Sequence, residues 1–246
     1  RVLLTLVFSV FIVLCASLVW LLNSERGAQL ALSIAGDLSN GTLQSKGVSG
    51  QLNGALHVDQ LSIQLENQKI VLDDVQIDSK LTELLLGRLH ISSLQIGKLG
   101  IVSKIDQTPE PSALPEKIGL PIRVKIDQVK VHGGDIAWGP VNVVTLGAFA
   151  FNLNFDGTRY QLNLDQLIAS SDAGAAAFSG EFKGEATLST TKPYALQASI
   201  VSDSQAMLDE HNNVNANGRI DLRGSLAEIA ASINFHLNQA SIKGNA

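Results

Sequence analysis

Cysteine is almost missing: Cys15 is the only one in 246 residues. That excludes an internal disulfide framework and any multi-cysteine zinc site. Charged residues make up only 17% of the chain, against roughly 25% in ordinary soluble domains. No stretch is basic, and 18 Lys and Arg against 23 Asp and Glu leave a formal net charge of −5. Nucleic acid, whose phosphates demand clustered cations, is excluded as a partner. Aromatic residues are 5% of the chain, and none occurs between Leu21 and Ala137. Rings ordinarily dominate a compact core, so whatever this long stretch packs against meets an aliphatic surface.

What is present begins with an apolar run. Val2 to Leu22 carries no charge, and its only hydroxyls belong to Thr5, Ser9 and Ser17. As a helix it would span about 31 Å, the hydrocarbon thickness of a bilayer. Trp20 falls near the interface, and Asn23, Ser24, Glu25 and Arg26 return the chain to water. A secretory signal has an apolar region of only about 7–15 residues and a small-residue cleavage site, and nothing after Leu22 provides one. Leu14 before Cys15 also fails the lipoprotein pattern. The run therefore predicts an uncleaved transmembrane anchor over 1–23, with Cys15 buried in lipid. Arg1 and Arg26 balance, so the positive-inside rule assigns no orientation.

Beyond it, 24–36 reads as a short helical or extended exit segment ended by Gly36-Asp37. Helical periodicity then vanishes except at 81–86, where Leu81, Leu84 and Leu85 share a face before Gly87. Everything else alternates. Leu56 and Val58 are followed after a skip by Leu61, Ile63 and Leu65. Ile70 and Leu72 precede Val75 and Ile77, and Leu89 and Ile91 precede Leu94, Ile96, Leu99 and Ile101. Val124 and Ile126 precede Val129 and Val131. A strict period of two would throw each second doublet to the opposite face, so one apolar face requires an extra residue at each skip. Such β-bulges bend and twist long strands. A square β-helix of pentapeptide repeats shares the five-residue period, but the pattern breaks after two or three units, which favours an antiparallel meander.

Pro109, Pro111, Pro115 and Pro121 mark 104–121 as a linker or loop. It separates a strand-rich segment at 37–103 from a second at 122–246. Asp156-Gly157 between Phe149–Phe155 and Tyr160–Leu164 is the clearest hairpin. Asp203 to Gly218 is polar and reads as a loop. The alternation is still running where the sequence stops, so a longer native chain is expected.

Each strand has an apolar face, yet almost no amphipathic helix is available to cover it, and a sheet must bury that face against something. An aliphatic β-sandwich and a curved, half-open sheet both satisfy the pattern. Catalytic chemistry is not found. His57, His90, His132 and His236 occupy polar strand positions without ligand spacing, and His211 stands alone. Asp73-Asp74, neighbours on a strand, are expected on opposite faces and at a bulge rather than as an acid–base pair. Gly47-Val48-Ser49-Gly50 is not a nucleophile elbow, no phosphate-binding glycine loop exists, and Asn40-Gly41-Thr42 is an isolated glycosylation-type triplet. No enzyme, no metal and no cofactor are expected.

The anchor, Gly41-Thr-Leu-Gln-Ser-Lys-Gly-Val-Ser-Gly-Gln-Leu-Asn-Gly-Ala-Leu, Val71-Leu-Asp-Asp-Val-Gln-Ile and Leu84-Leu-Leu-Gly-Arg-Leu-His-Ile-Ser-Ser-Leu-Gln-Ile carry a resemblance. So do the proline-rich stretch into Leu120-Pro-Ile-Arg-Val, Phe178-Ser-Gly-Glu-Phe and Pro193-Tyr-Ala-Leu-Gln-Ala. Together they resemble the N-terminal part of the TamB family within the AsmA-like group. That resemblance implies a mainly β fold: a transmembrane helix, then a curved, mostly antiparallel sheet forming an elongated apolar groove. It implies a protein of the bacterial inner membrane, single-pass, with its β-rich part in the periplasm. The groove would carry phospholipid between inner and outer membranes. Its lining is expected at Leu56, Val58, Leu61, Ile63, Leu65, Ile70, Leu72, Leu89, Ile91, Leu94 and Ile96. The implied partners are phospholipid, the inner membrane and an outer-membrane barrel resembling TamA, met through a region beyond these residues. The alternative is a scaffold or chaperone for outer-membrane protein, including autotransporter, assembly, using exposed sheet edges.

Overall fold

A computed structural model describes residues 17, 19–103, 118–138, 142–171, 177–209, 212–237 and 240–245. Most of the anchor predicted over 1–23 lies outside them, as do 104–117 of the predicted linker and His211. Among the described residues no helix is long and apolar enough to cross a membrane.

The exit segment is helix α1, Glu25–Leu38. Ser24 is extended and its hydroxyl accepts from the Gly27 amide at 3.1 Å, which caps the helix, while Glu25 complements the N-terminal dipole. The helix runs past the expected stop at Gly36-Asp37. It ends where Asn40 and Gly41 turn left-handed, with the Gly41 amide donating to Gly36 O at 3.0 Å.

The rest is one long, curved, mostly antiparallel sheet of thirteen strands. Its first strands are β1 (Leu43–Gly50), β2 (Ala55–Gln64), β3 (Gln68–Ser79) and β4 (Arg88–Ser103), joined as a meander. Then come β5 (Arg123–Val131), β6 (Gly134–Trp138), β7 (Asn142–Phe155), β8 (Arg159–Ser171) and β9 (Ala177–Ser189). The series closes with β10 (Ala195–Asp209), β11 (Asn212–Ser225), β12 (Ile229–Leu237) and β13 (Ala240–Asn245). The two predicted strand-rich segments are therefore continuous. Their joint is unusual: β4 runs parallel to both β5 and β6, which lie end to end between β4 and β7. A parallel pairing needs a crossover, and the proline-rich stretch supplies it. No second sheet exists among the described residues, which excludes the sandwich there.

The skips coincide with irregularities. Asp127 and Gln128 of β5 face one residue of β7, and Ser92 is extra on β4 opposite β3. At another level Gly47, Asp59, Asp74 and Gly97 form a row across four neighbouring strands. Gly47 and Asp74 have φ of 63° and 52°, and the left-handed residue at 74 re-phases the strand. Asp73 and Asp74 consequently share the polar face, contrary to the simple alternation. Asp73 accepts from Gln60 at 2.8 Å, and Asp74 lies 3.5 Å from His57 Nδ1. Within the polar stretch read as a loop at 203–218, residues 203–209 and 212–218 are instead strand, with β10 paired to β9 as far as Met207 and to β11 as far as Asp209, the latter across an irregularity between Met207 and Asp209. Small residues on one side and polar ones on the other disguise its alternation.

Candidate functional site

Register places the predicted lining on one face. Leu56 opposes Ile77, Val58 opposes Val75, Leu61 opposes Leu72 and Ile63 opposes Ile70. Ile77 and Leu94, then Val75 and Ile96, continue across β4. Leu89 and Ile91 meet Val124 and Ile126 on β5. Leu65 alone stands off the strands, 44% exposed beside the β2–β3 turn.

The face extends far beyond those residues. One row runs Leu56, Ile77, Leu94, Val129, Phe151, Leu164, Gly184, Ile200, Ile220 and Ile233, directly opposed from β2 to β12. A second joins Val48, Val58, Val75, Ile96, Val131, Phe149, Leu167 and Phe182. The doublets at Val75, Val129 and Val131 carried the same spacing as the chosen residues and were the signal for this extension. The aromatic half, from Phe149 on, was legible as a hairpin but not as the same surface.

Part of the apolar face is covered by the sheet itself. Val129 and Val131 are each 2% exposed and pack with Ile96, Leu94, Phe149 and Phe151, all from the sheet itself. In this single layer the burial comes from neighbouring side chains on the apolar side leaning over one another. Glycines admit this crowding. The Phe235 ring lies over Gly218, where an added Cβ would meet it at 2.1 Å.

The first end is not bare. Ala28 of α1, 0% exposed, packs with Leu56, Val58 and Val75, and Leu32 joins them. The chain's own helix therefore covers part of the surface predicted as lining, although the exit segment was not expected to do so. The small side chain of Ala28 allows this close approach, while Gly27, also buried, is packed against the preceding chain, where a Cβ would lie 2.3 Å from Leu21 O. At the β7–β9 end, Ile118, ahead of β5, meets the sheet. Tyr160 stacks on the buried Phe155 at 4.5 Å and donates its hydroxyl to Ile118 O at 2.8 Å, and the Ile118 amide donates to Thr190 O.

The opposite face is polar. His90 bridges Glu83 at 3.1 Å and Asp127 at 2.7 Å. Hydrogen bonds to Asp127 and then Glu83 raise the His90 pKa. The reciprocal bond from His90 lowers that of Glu83, and bonds from Lys125 and then His90 lower that of Asp127. A cavity of about 220 Å³ between Glu185, Gln197, Arg219 and Asp221 also lies on this side, and its Arg219 and Asp221 pair at 3.0 Å. Neither arrangement touches the apolar rows. Among the described residues no His, Cys, Asp and Glu cluster is placed to hold a metal ion.

The family described as TamB, N-terminal domain, matches residues 14–163. Neither a curated protein nor a solved structure matches the chain. The match ends inside β8, and the sheet continues through that point without a break.

Proposed function

The chain belongs to the TamB family, and on that premise we propose that it conducts phospholipid along the apolar face, used as an open groove between inner and outer membranes. Membership brings a membrane-associated periplasmic setting and the general theme of the translocation and assembly module and its lipid-transport relatives. The single-pass anchor at Val2–Leu22 fixes the first end of the groove to the inner membrane, with the sheet in the periplasm. The supporting observation is the apolar row whose residues oppose one another directly from β2 to β12, across the irregularities on either side of β7 and β8.

Acyl chains leaving a bilayer for an aliphatic wall keep each methylene out of water, about 0.8 kcal/mol per CH₂ that no step has to supply. Headgroups stay along the open side. Movement of this kind calls for no catalytic residue, and the continuity of the wall is what matters. Assembly of outer-membrane proteins by strand addition is the other reading. At the β1 edge, Lys46 and the left-handed Gly47 are devices that discourage an added strand.

The test is a photoreactive residue at Leu153, on the apolar face beyond α1, in the full chain in cells. Irradiation is expected to capture phospholipid there and not at Asn152, which bonds Asn163 on the polar face. Failure of Leu153 to capture any phospholipid would remove the conduit.

A further inference from the structure

Leu84, Leu85 and Leu86 lie on a 3₁₀ turn (Leu81–Leu86) between β3 and β4, and none of the turn's residues is buried. Leu85 is 82% and Leu86 71% exposed. Isolated exposed leucines are ordinary, but three in succession on a projecting turn form a patch that wants an occupant. The turn is tied to the place where the chain leaves the proposed anchor. The Asn53 amide donates to Leu22 O at 2.8 Å, its side-chain amide donates to Asn23 Oδ1 at 3.2 Å, and its Oδ1 accepts from the Thr82 amide at 3.3 Å.

We propose that the Leu84–Leu86 turn is a second membrane contact, its leucines seated in the same anionic bilayer surface that the anchor enters. The proposal rests on the anchor reading. Three residues of 3₁₀ turn add about 6 Å beyond Thr82. The interfacial layer is itself several ångströms deep on each side of the hydrocarbon. Trp20, 52% exposed, marks the interfacial level on the anchor side of the Asn53 link. The charge around the turn is complementary to anionic headgroups: Lys80, Arg88 and Arg123 are all exposed, and the Arg123 amide donates to Gly87 O. The one acid on the turn, Glu83, is drawn back to His90 at 3.1 Å and Arg88 at 3.8 Å. What the turn presents outward is therefore leucine with cations beside it, the composition of a surface-inserting loop. The consequence is orientational, since two contacts fix the tilt of the sheet where one anchor leaves it free to swivel.

The experiment places an environment-sensitive fluorophore at Leu85→Cys in the full chain carrying Cys15→Ser. The protein is reconstituted in vesicles of phosphatidylethanolamine and phosphatidylglycerol containing a nitroxide-labelled acyl chain. A matched fluorophore at Asn67→Cys, on the β2–β3 turn at the other end of those strands, is the aqueous reference. The expected result is blue-shifted emission at Leu85 and quenching at least threefold greater than at Asn67. A second variant carries the fluorophore at Thr82→Cys with Leu85→Gln and Leu86→Gln, and it should lose the quenching seen at Thr82→Cys alone. If the chain floats with the vesicles but Leu85 is quenched no more than Asn67, the second contact is wrong and the anchor stands. The second contact is equally wrong if Thr82 is quenched to the same degree with and without the leucines. If the chain does not float at all, the anchor reading and this inference fall together.

Discussion

Helix α1 should shield the first strands of the apolar face from anything that tries to occupy them. Val58, 2% exposed, packs with Ala28 of the helix, whereas Leu153 lies on the same face beyond it. In a Cys15→Ser background, Val58→Cys and Leu153→Cys give one thiol each at a covered and an uncovered position. Lifting α1 would expose Leu32 together with part of Leu56, Val58 and Val75. Full burial of such side chains is worth about 1.5–3 kcal/mol each. Taking half for each of the four gives about 4 kcal/mol, an open fraction on the order of one in a thousand. Maleimide labelling of lipid-stripped chain should therefore be at least about a hundredfold slower at Val58→Cys than at Leu153→Cys. Adding Ala28→Asp sets an unpaired carboxylate into the helix–sheet contact. It should speed labelling at Val58→Cys while leaving Leu153→Cys unchanged, which also reports that the distant sheet has kept its structure. Equal rates at the two thiols in the parent chain would refute the packing argument.

Among the described residues the buried Ser202 hydroxyl has no hydrogen-bond partner, so Ser202→Ala should raise stability by about 1 kcal/mol, read as a higher urea midpoint at unchanged slope. Gly184 sits in the long apolar row, and a Cβ there would meet Ser199 O at 2.3 Å. Gly184→Val should lower stability by about 2 kcal/mol or more and Tm by about 4–8 °C; an unchanged Tm would show that the backbone can yield. The His90 bridge predicts a pH window. Its raised pKa means its contribution is complete below histidine's ordinary 6.5 and is lost as pH rises through the higher folded value. Glu83 and Asp127, with lowered values, keep theirs above the ordinary carboxylate range and lose it as acid protonates them. The stability difference between parent and His90→Gln should be largest near about pH 5–6.5 and shrink toward about pH 9, and a flat difference in urea unfolding would contradict it.

Much of this was legible because the apolar spacing is itself the geometry. The skip between Val58 and Leu61, or Leu72 and Val75, forces an extra residue if one face is to stay dry, and those extra residues are the ones that form the row at Asp59 and Asp74. The shared face of Asp73 and Asp74 was not legible, because apolar spacing marks an extra residue without fixing which way a left-handed residue turns its neighbours. Docking of α1 was hidden because its one fully buried contact with the sheet is Ala28, a residue with little hydropathy to notice. The parallel joint between β4 and β5 was hidden too: strand direction depends on where a connection travels, and 104–121 has no periodicity to reveal that. The end of β10 and the start of β11, within 203–218, looked like a loop because positions such as Ser204 and Gly218 fill the apolar face with small residues, leaving alternation in size where alternation in polarity is expected.

Outside the end-to-end placement of β5 and β6, the simple meander makes the molecule a ruler. Apart from that joint, every strand touches only the next in sequence, so length is counted in strands. Twelve successive positions at about 4.8 Å give a course of about 53 Å. Removing or duplicating an antiparallel hairpin such as β10–β11 would change the reach by about 10 Å while keeping the apolar rows in phase, because two strands restore the chain direction. The joint alone breaks this arithmetic. There the chain direction is repeated rather than reversed, and the edges of the ruler can be cut in pairs anywhere except across it.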